Sequence, residues 1–86
     1  MVAETSISVA GSYLVSPDYS GHAKLVIDAA RGVVVGATFV GADTAELVHA
    51  ATVAIVGEVP LERLWHAVPS YPTVSEVWLR LLEQVC

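Results

Sequence analysis

Among 86 residues, one segment combines side chains that could act on a substrate with residues that would hold them still: His66–Glu76, HAVPSYPTVSE. Pro69 and Pro72 bracket Tyr71, and Pro72 pushes the residue before it out of the helical region. A carboxylate, Glu76, follows four residues after Pro72, and Thr73 with Glu76 has the T-x-x-E spacing of a capping box at a helix start. Two readings stay open on the residues alone. The segment is a rigid helix–helix connection in which Glu76 only caps, or it is a device for presenting Tyr71 at a defined place, with Glu76 able to accept a hydrogen bond from its phenol. His66 precedes the loop and either faces the same site or simply faces solvent.

The other chemistry-bearing residues form no set. His22, His49 and His66 lie far apart in the chain and match no metal-ligand spacing, so no metal site is expected. Gly32, Gly36 and Gly41 do not make the G-x-G-x-x-G pattern of a phosphate-binding turn. Cys86 is the single cysteine, which rules out an internal disulfide and points to a reducing cytoplasm. The basic residues Lys24, Arg31, Arg63 and Arg80 are scattered, and the net charge is −5, which argues against nucleic acid as a partner. No uncharged stretch approaches the roughly 18 apolar residues of a membrane span, and the first residues lack the pattern of a signal peptide.

The elements that must position the Tyr71 segment read as an α+β domain: a small antiparallel sheet of about three strands followed by about three helices packed on one face. Ile7 and Val9 alternate with Ser6 and Ser8, which predicts a strand over Ser6–Val15. Turn formers crowd Ser16–Gly21. Strands are predicted at His22–Asp28 and Val33–Val40, joined by a hairpin through Gly32, with Gly36 marking a bulge or a close backbone approach. Asp43 and Glu46 form a D-x-x-E capping pattern ahead of a helix over Thr44–Val56 that Gly57 stops. Pro60 opens a short helix, Leu61–Ala67. In the last helix Val74, Val77, Trp78, Leu81, Leu82 and Val85 recur at helical spacing. Hydrophobic residues make up 55% of the chain and mean hydropathy is +0.63, so apolar surface is expected to be left over for a second copy or a neighbouring domain.

The order of these motifs resembles the C-terminal interface, or dimerisation, domain of the pyridine nucleotide–disulfide oxidoreductases, the flavoenzymes that include lipoamide dehydrogenase, glutathione reductase and mercuric reductase. The segments that carry the likeness are Ala23-Lys24-Leu25-Val26-Ile27-Asp28, Gly36-Ala37-Thr38-Phe39-Val40-Gly41, the helix Glu46–Ile55, and Tyr71-Pro72-Thr73-Val74-Ser75-Glu76, which is similar to the family's closing H-P-T-x-x-E. The likeness runs from about Ser6 to Glu83. It implies a homodimer in which the 71–76 loop reaches the partner's active site, with Tyr71 and Glu76 in the catalytic positions and His66, Pro72 and Thr73 near substrate or flavin. It implies FAD and NAD(P) in the parent enzyme, held by domains that these 86 residues do not contain, so that residues 1–86 form a single domain with no cofactor and no catalysis of its own. Tyr71 departs from the histidine that dithiol-reducing members carry there. Mercuric reductases resemble the chain in placing a tyrosine near that position, but their vicinal cysteine pair is not matched by the lone Cys86. The alternatives are a stand-alone homodimerising module without activity and, last, a small ligand-binding α+β protein.

Overall fold

The computed structural model describes all 86 residues, and its first strand begins earlier and ends sooner than the alternation suggests. Strand β1 spans Val2–Ser6, and the second half of the predicted strand is instead a short helix, α1, over Ala10–Val15. The alternation places the apolar positions, since Ile7 and Val9 are both buried, but not the conformation, because Ser12 competes with the sheet for the backbone. Its hydroxyl accepts the Val9 N–H at 3.1 Å and donates to the Val9 carbonyl at 2.7 Å, which closes a turn where a ladder was expected.

Strands β2 (His22–Asp28) and β3 (Val33–Val40) fall where the sequence places them. Asp28 builds the hairpin between them: its carboxylate accepts the N–H groups of Ala30 and Arg31, both at 3.1 Å. Gly32 takes φ +65°, the left-handed geometry that side chains resist. The sheet is antiparallel with order β1-β2-β3. Val26 faces Gly36 while the next residue, Ile27, faces Val34, so Val35 is the extra residue of a bulge beside Gly36.

The inner face of the sheet carries Ala3, Ala23, Leu25, Ile27 and Val34. Helix α2 (Ala45–Val56) lays Leu47 and Ala51 on it, next to β3. A single turn, α3 (Leu61–Leu64), follows, then a 3-10 turn over Val74–Glu76 that runs directly into α4 (Val77–Leu82). Val77, Trp78 and Leu81 of α4 complete the core, with the Trp78 and Phe39 rings 5.7 Å apart and tilted by 47°. Four helices therefore cover the fold, where about three were expected, and the opposite face leaves Val2, Val26 and Val40 exposed. No helix is long and apolar enough to cross a membrane.

One helix start and one helix end differ from expectation. The Asp43–Glu46 capping box does not form. Asp43 adopts φ +60°, the helix begins one residue later at Ala45, and the Thr44 hydroxyl turns back to the Gly41 carbonyl at 3.0 Å. The helix predicted to reach Ala67 ends at Leu64, since none of its residues is fully buried and little packing extends a four-residue turn. Gly57 closes α2 as expected, donating its N–H to Val53 at 2.9 Å.

Beyond α4, Gln84 reaches the free edge of β1. Its side-chain amide accepts the Glu4 N–H at 3.1 Å and donates to the Glu4 carbonyl at 2.9 Å.

The Ser16–Gly21 turn is tied to the approach of α2 through Tyr19, whose phenol donates to the Ala42 carbonyl at 2.5 Å. Loss of solvent, and secondarily the Asp43 carboxylate, raise the Tyr19 pKa above its ordinary value. The folded state then holds this proton to higher pH than the unfolded chain, so stability is level below about pH 10 and falls as pH rises through the interval between the two values. Tyr19→Phe removes that ionisation. Urea unfolding in alkaline buffers should show a shallower loss of stability for the variant than for the parent chain.

Candidate functional site

The loop between α3 and α4 is fixed from both ends. Pro69 is half-buried at its start, and Thr73 is extended at φ −142°, ψ 160° ahead of the 3-10 turn. The Thr73 N–H donates to the Glu76 carboxylate at 2.9 Å, and the Thr73 hydroxyl donates to the Ser70 carbonyl at 2.5 Å. The bond to Ser70 spans Tyr71-Pro72, whose peptide bond is cis, and the bond to Glu76 ties the far side of that span to the 3-10 turn. Tyr71 is left at the tip, 79% exposed, although aromatic side chains of its size usually find cover within their own subunit. The capping reading of Glu76 is thus realised: its carboxylate, half-buried, is engaged with Thr73.

Tyr71, Pro72, Thr73 and Glu76 are therefore brought together by one loop and one turn. His66 is not part of that group. It is exposed and lines a shallow surface cavity of about 570 Å³ with Leu61, Glu62, Trp65, Val85 and Cys86, none of them from the 71–76 segment. The Cys86 thiol there lies 3.9 Å from the Leu61 carbonyl, and partial burial raises its pKa, which keeps it from the reactive thiolate form. A smaller cavity of about 170 Å³ opens between α2 and α4, with Ala50, Ser75, Trp78 and Leu82 in its wall. The Trp78 indole N–H is buried without a partner.

Sequence reasoning missed one contributor to the loop, α1. The helix packs against the 3-10 turn, and Gly11 is the point at which their backbones meet. The small-residue run Ala10-Gly11-Ser12 is the one local trace of it, because a gap-free approach of two backbones needs such residues.

The chain brings no three His, Cys, Asp or Glu side chains together around a possible metal ion. Nor do its residues fit a dinucleotide cofactor. All strand pairs are antiparallel, so there is no strand–turn–helix crossover whose backbone would cradle a pyrophosphate, and the largest cavity has Glu62 in its wall and neither lysine nor arginine.

A three-stranded antiparallel sheet with helices on one face and a braced, projecting loop before the last helix defines an α+β domain. Residues 1–82 match the pyridine nucleotide-disulphide oxidoreductase dimerisation domain, and the chain belongs to that family. It is also similar to the dihydrolipoyl dehydrogenase of Bacillus subtilis (strain 168), with 29% identity over 75 residues. That alignment takes in 87% of this chain and 16% of the dehydrogenase, so the chain spans about a sixth of that relative's length.

Proposed function

We propose that the chain is the dimerisation domain of an FAD- and NAD(P)-dependent oxidoreductase of the cytoplasm, that it pairs as a homodimer, and that its 71–76 loop enters the partner's flavin and substrate site. On its own the domain carries out no reaction. The observation that carries this reading is the 79% exposure of Tyr71 on a loop held at Ser70, Thr73 and Glu76: a rigid support under an uncovered aromatic ring suits a surface that completes another subunit's site. Tyr71 serves there as a hydrogen-bond donor and pocket wall. Pro72 and Thr73 set its direction, and Glu76 holds Thr73. Exposed Val2, Val26 and Val40 on the outer sheet face, with Val48 and Val53 on α2, provide apolar surface for a partner subunit or for the cofactor domains.

Hybrid dimers test the trans arrangement. One subunit of the parent flavoenzyme carries Tyr71→Ala with Glu76→Ala, and the other carries an inactivated flavin site with an intact loop. If the loop acts across the two-fold axis, random mixing should restore about a quarter of wild-type turnover, because half the dimers are mixed and each has one intact site. A loop acting within its own subunit restores none.

A further inference from the structure

The Tyr71 loop has a support that its prolines and its Glu76 bond do not account for. Where α1 crosses the loop, a Cβ at position 11 would fall well inside 3.0 Å of the Cα, carbonyl carbon and carbonyl oxygen of Thr73. These are backbone atoms and cannot swing aside as the end of a side chain can. Nor is α1 free to retreat. Val9 at its start is buried in the core cluster, and Ser12 is fully buried with its hydroxyl bonded to both backbone groups of Val9. Thr73, for its part, is the residue that Glu76 holds. One backbone–backbone contact therefore joins an element anchored in the core to the residue two places after Tyr71.

We propose that Gly11 is a positioning residue for the Tyr71 loop: because it has no side chain, α1 forms a seat for Thr73, and that seat sets where Tyr71 projects. The consequence for turnover rests on the proposed role of the loop in the partner's site; the consequence for loop geometry does not.

The test is Gly11→Ala in the 86-residue chain, followed by amide NMR and hydrogen exchange, with Leu14→Ala, an exposed change on the same helix, as the comparison. Gly11→Ala should displace the Tyr71, Thr73 and Glu76 amide resonances and speed exchange at the Thr73 amide by about tenfold or more, and Leu14→Ala should leave them in place. Unchanged Thr73 resonances and exchange in Gly11→Ala overturn the proposal. Should that variant fail to fold, exchange in the unaltered chain decides: the Ser16 amide, which closes α1, and the Thr73 amide should open with the same free energy, and a Thr73 amide that opens far more readily overturns the seat. In the parent flavoenzyme, Gly11→Ala should lower kcat by about tenfold or more, with KM and flavin absorbance unchanged, as expected when a group is misplaced rather than removed. The hybrid-dimer measurement leaves Gly11 intact, so the two ideas fail separately. A displaced loop without complementation sinks the trans arrangement, whereas complementation with an undisturbed loop in Gly11→Ala sinks the seat.

Discussion

Leu81→Ala should remove a large share of the stability of this domain. Leu81 has no solvent exposure and lies where α4 meets the sheet, in one cluster with Leu25, Val77 and Trp78. Truncating a leucine at such a site costs about 2–5 kcal/mol, the lost transfer free energy plus the cavity left behind. Stabilities near 0.05–0.15 kcal/mol per residue set the scale against which that loss is felt. Only 18 of the 86 residues are buried, so few other contacts can compensate. Urea unfolding followed by circular dichroism should show a much lower midpoint for Leu81→Ala, while Leu79→Ala, half-buried on the same helix, loses far less. A change below about 1 kcal/mol at Leu81 would mean that α4 is not docked as described.

The largest effect on chemistry is expected at Tyr71, and it should leave folding untouched. A phenol titrates near pH 10 and an imidazole near 6.5 in peptides; that gap of about 3.5 units corresponds to roughly 4–5 kcal/mol against a tyrosine acting as base at neutral pH. Tyr71→His in the parent flavoenzyme should therefore raise dithiol–disulfide turnover, with a new ionisation near neutral pH in the rate profile. Because the ring is exposed and makes no core contact, the unfolding free energy should change by no more than about 0.5 kcal/mol. If turnover did not rise while the domain stayed folded, this position would not govern proton transfer.

The parts legible in the sequence are those set by local pattern. β2 and β3 have the predicted bounds because alternating side chains, Asp28 and Gly32 all demand the same hairpin. α2 and its stop at Gly57 follow from helical periodicity ending on a residue without a side chain. The Thr73–Glu76 pairing was legible, and so was the exposure of a ring between two prolines. α1 was not. Its six residues are held by the Ser12 hydroxyl and by contact with Thr73, sixty-odd positions along the chain, and no window around Ala10–Val15 contains that partner. Asp43–Glu46 fits the same written pattern as Thr73–Glu76, yet only the second closes. The Gly41 approach and the Tyr19 bond to Ala42 hold the chain ahead of α2 in another path, with Asp43 left-handed. For His66 the sequence leaves two orientations open, and the turn after α3 sends it to the cavity beside Cys86.

Gln84 presents to Glu4 one acceptor and one donor, the same pair of groups that a peptide unit in an adjoining strand would offer. The free edge of β1 is thus occupied at Glu4 by a side chain from beyond α4. Open sheet margins invite foreign strands to dock and propagate, and here any newcomer must first evict an amide already in place. A domain whose outer face carries uncovered valines can in this way offer that face for association while the β1 edge is guarded at Glu4.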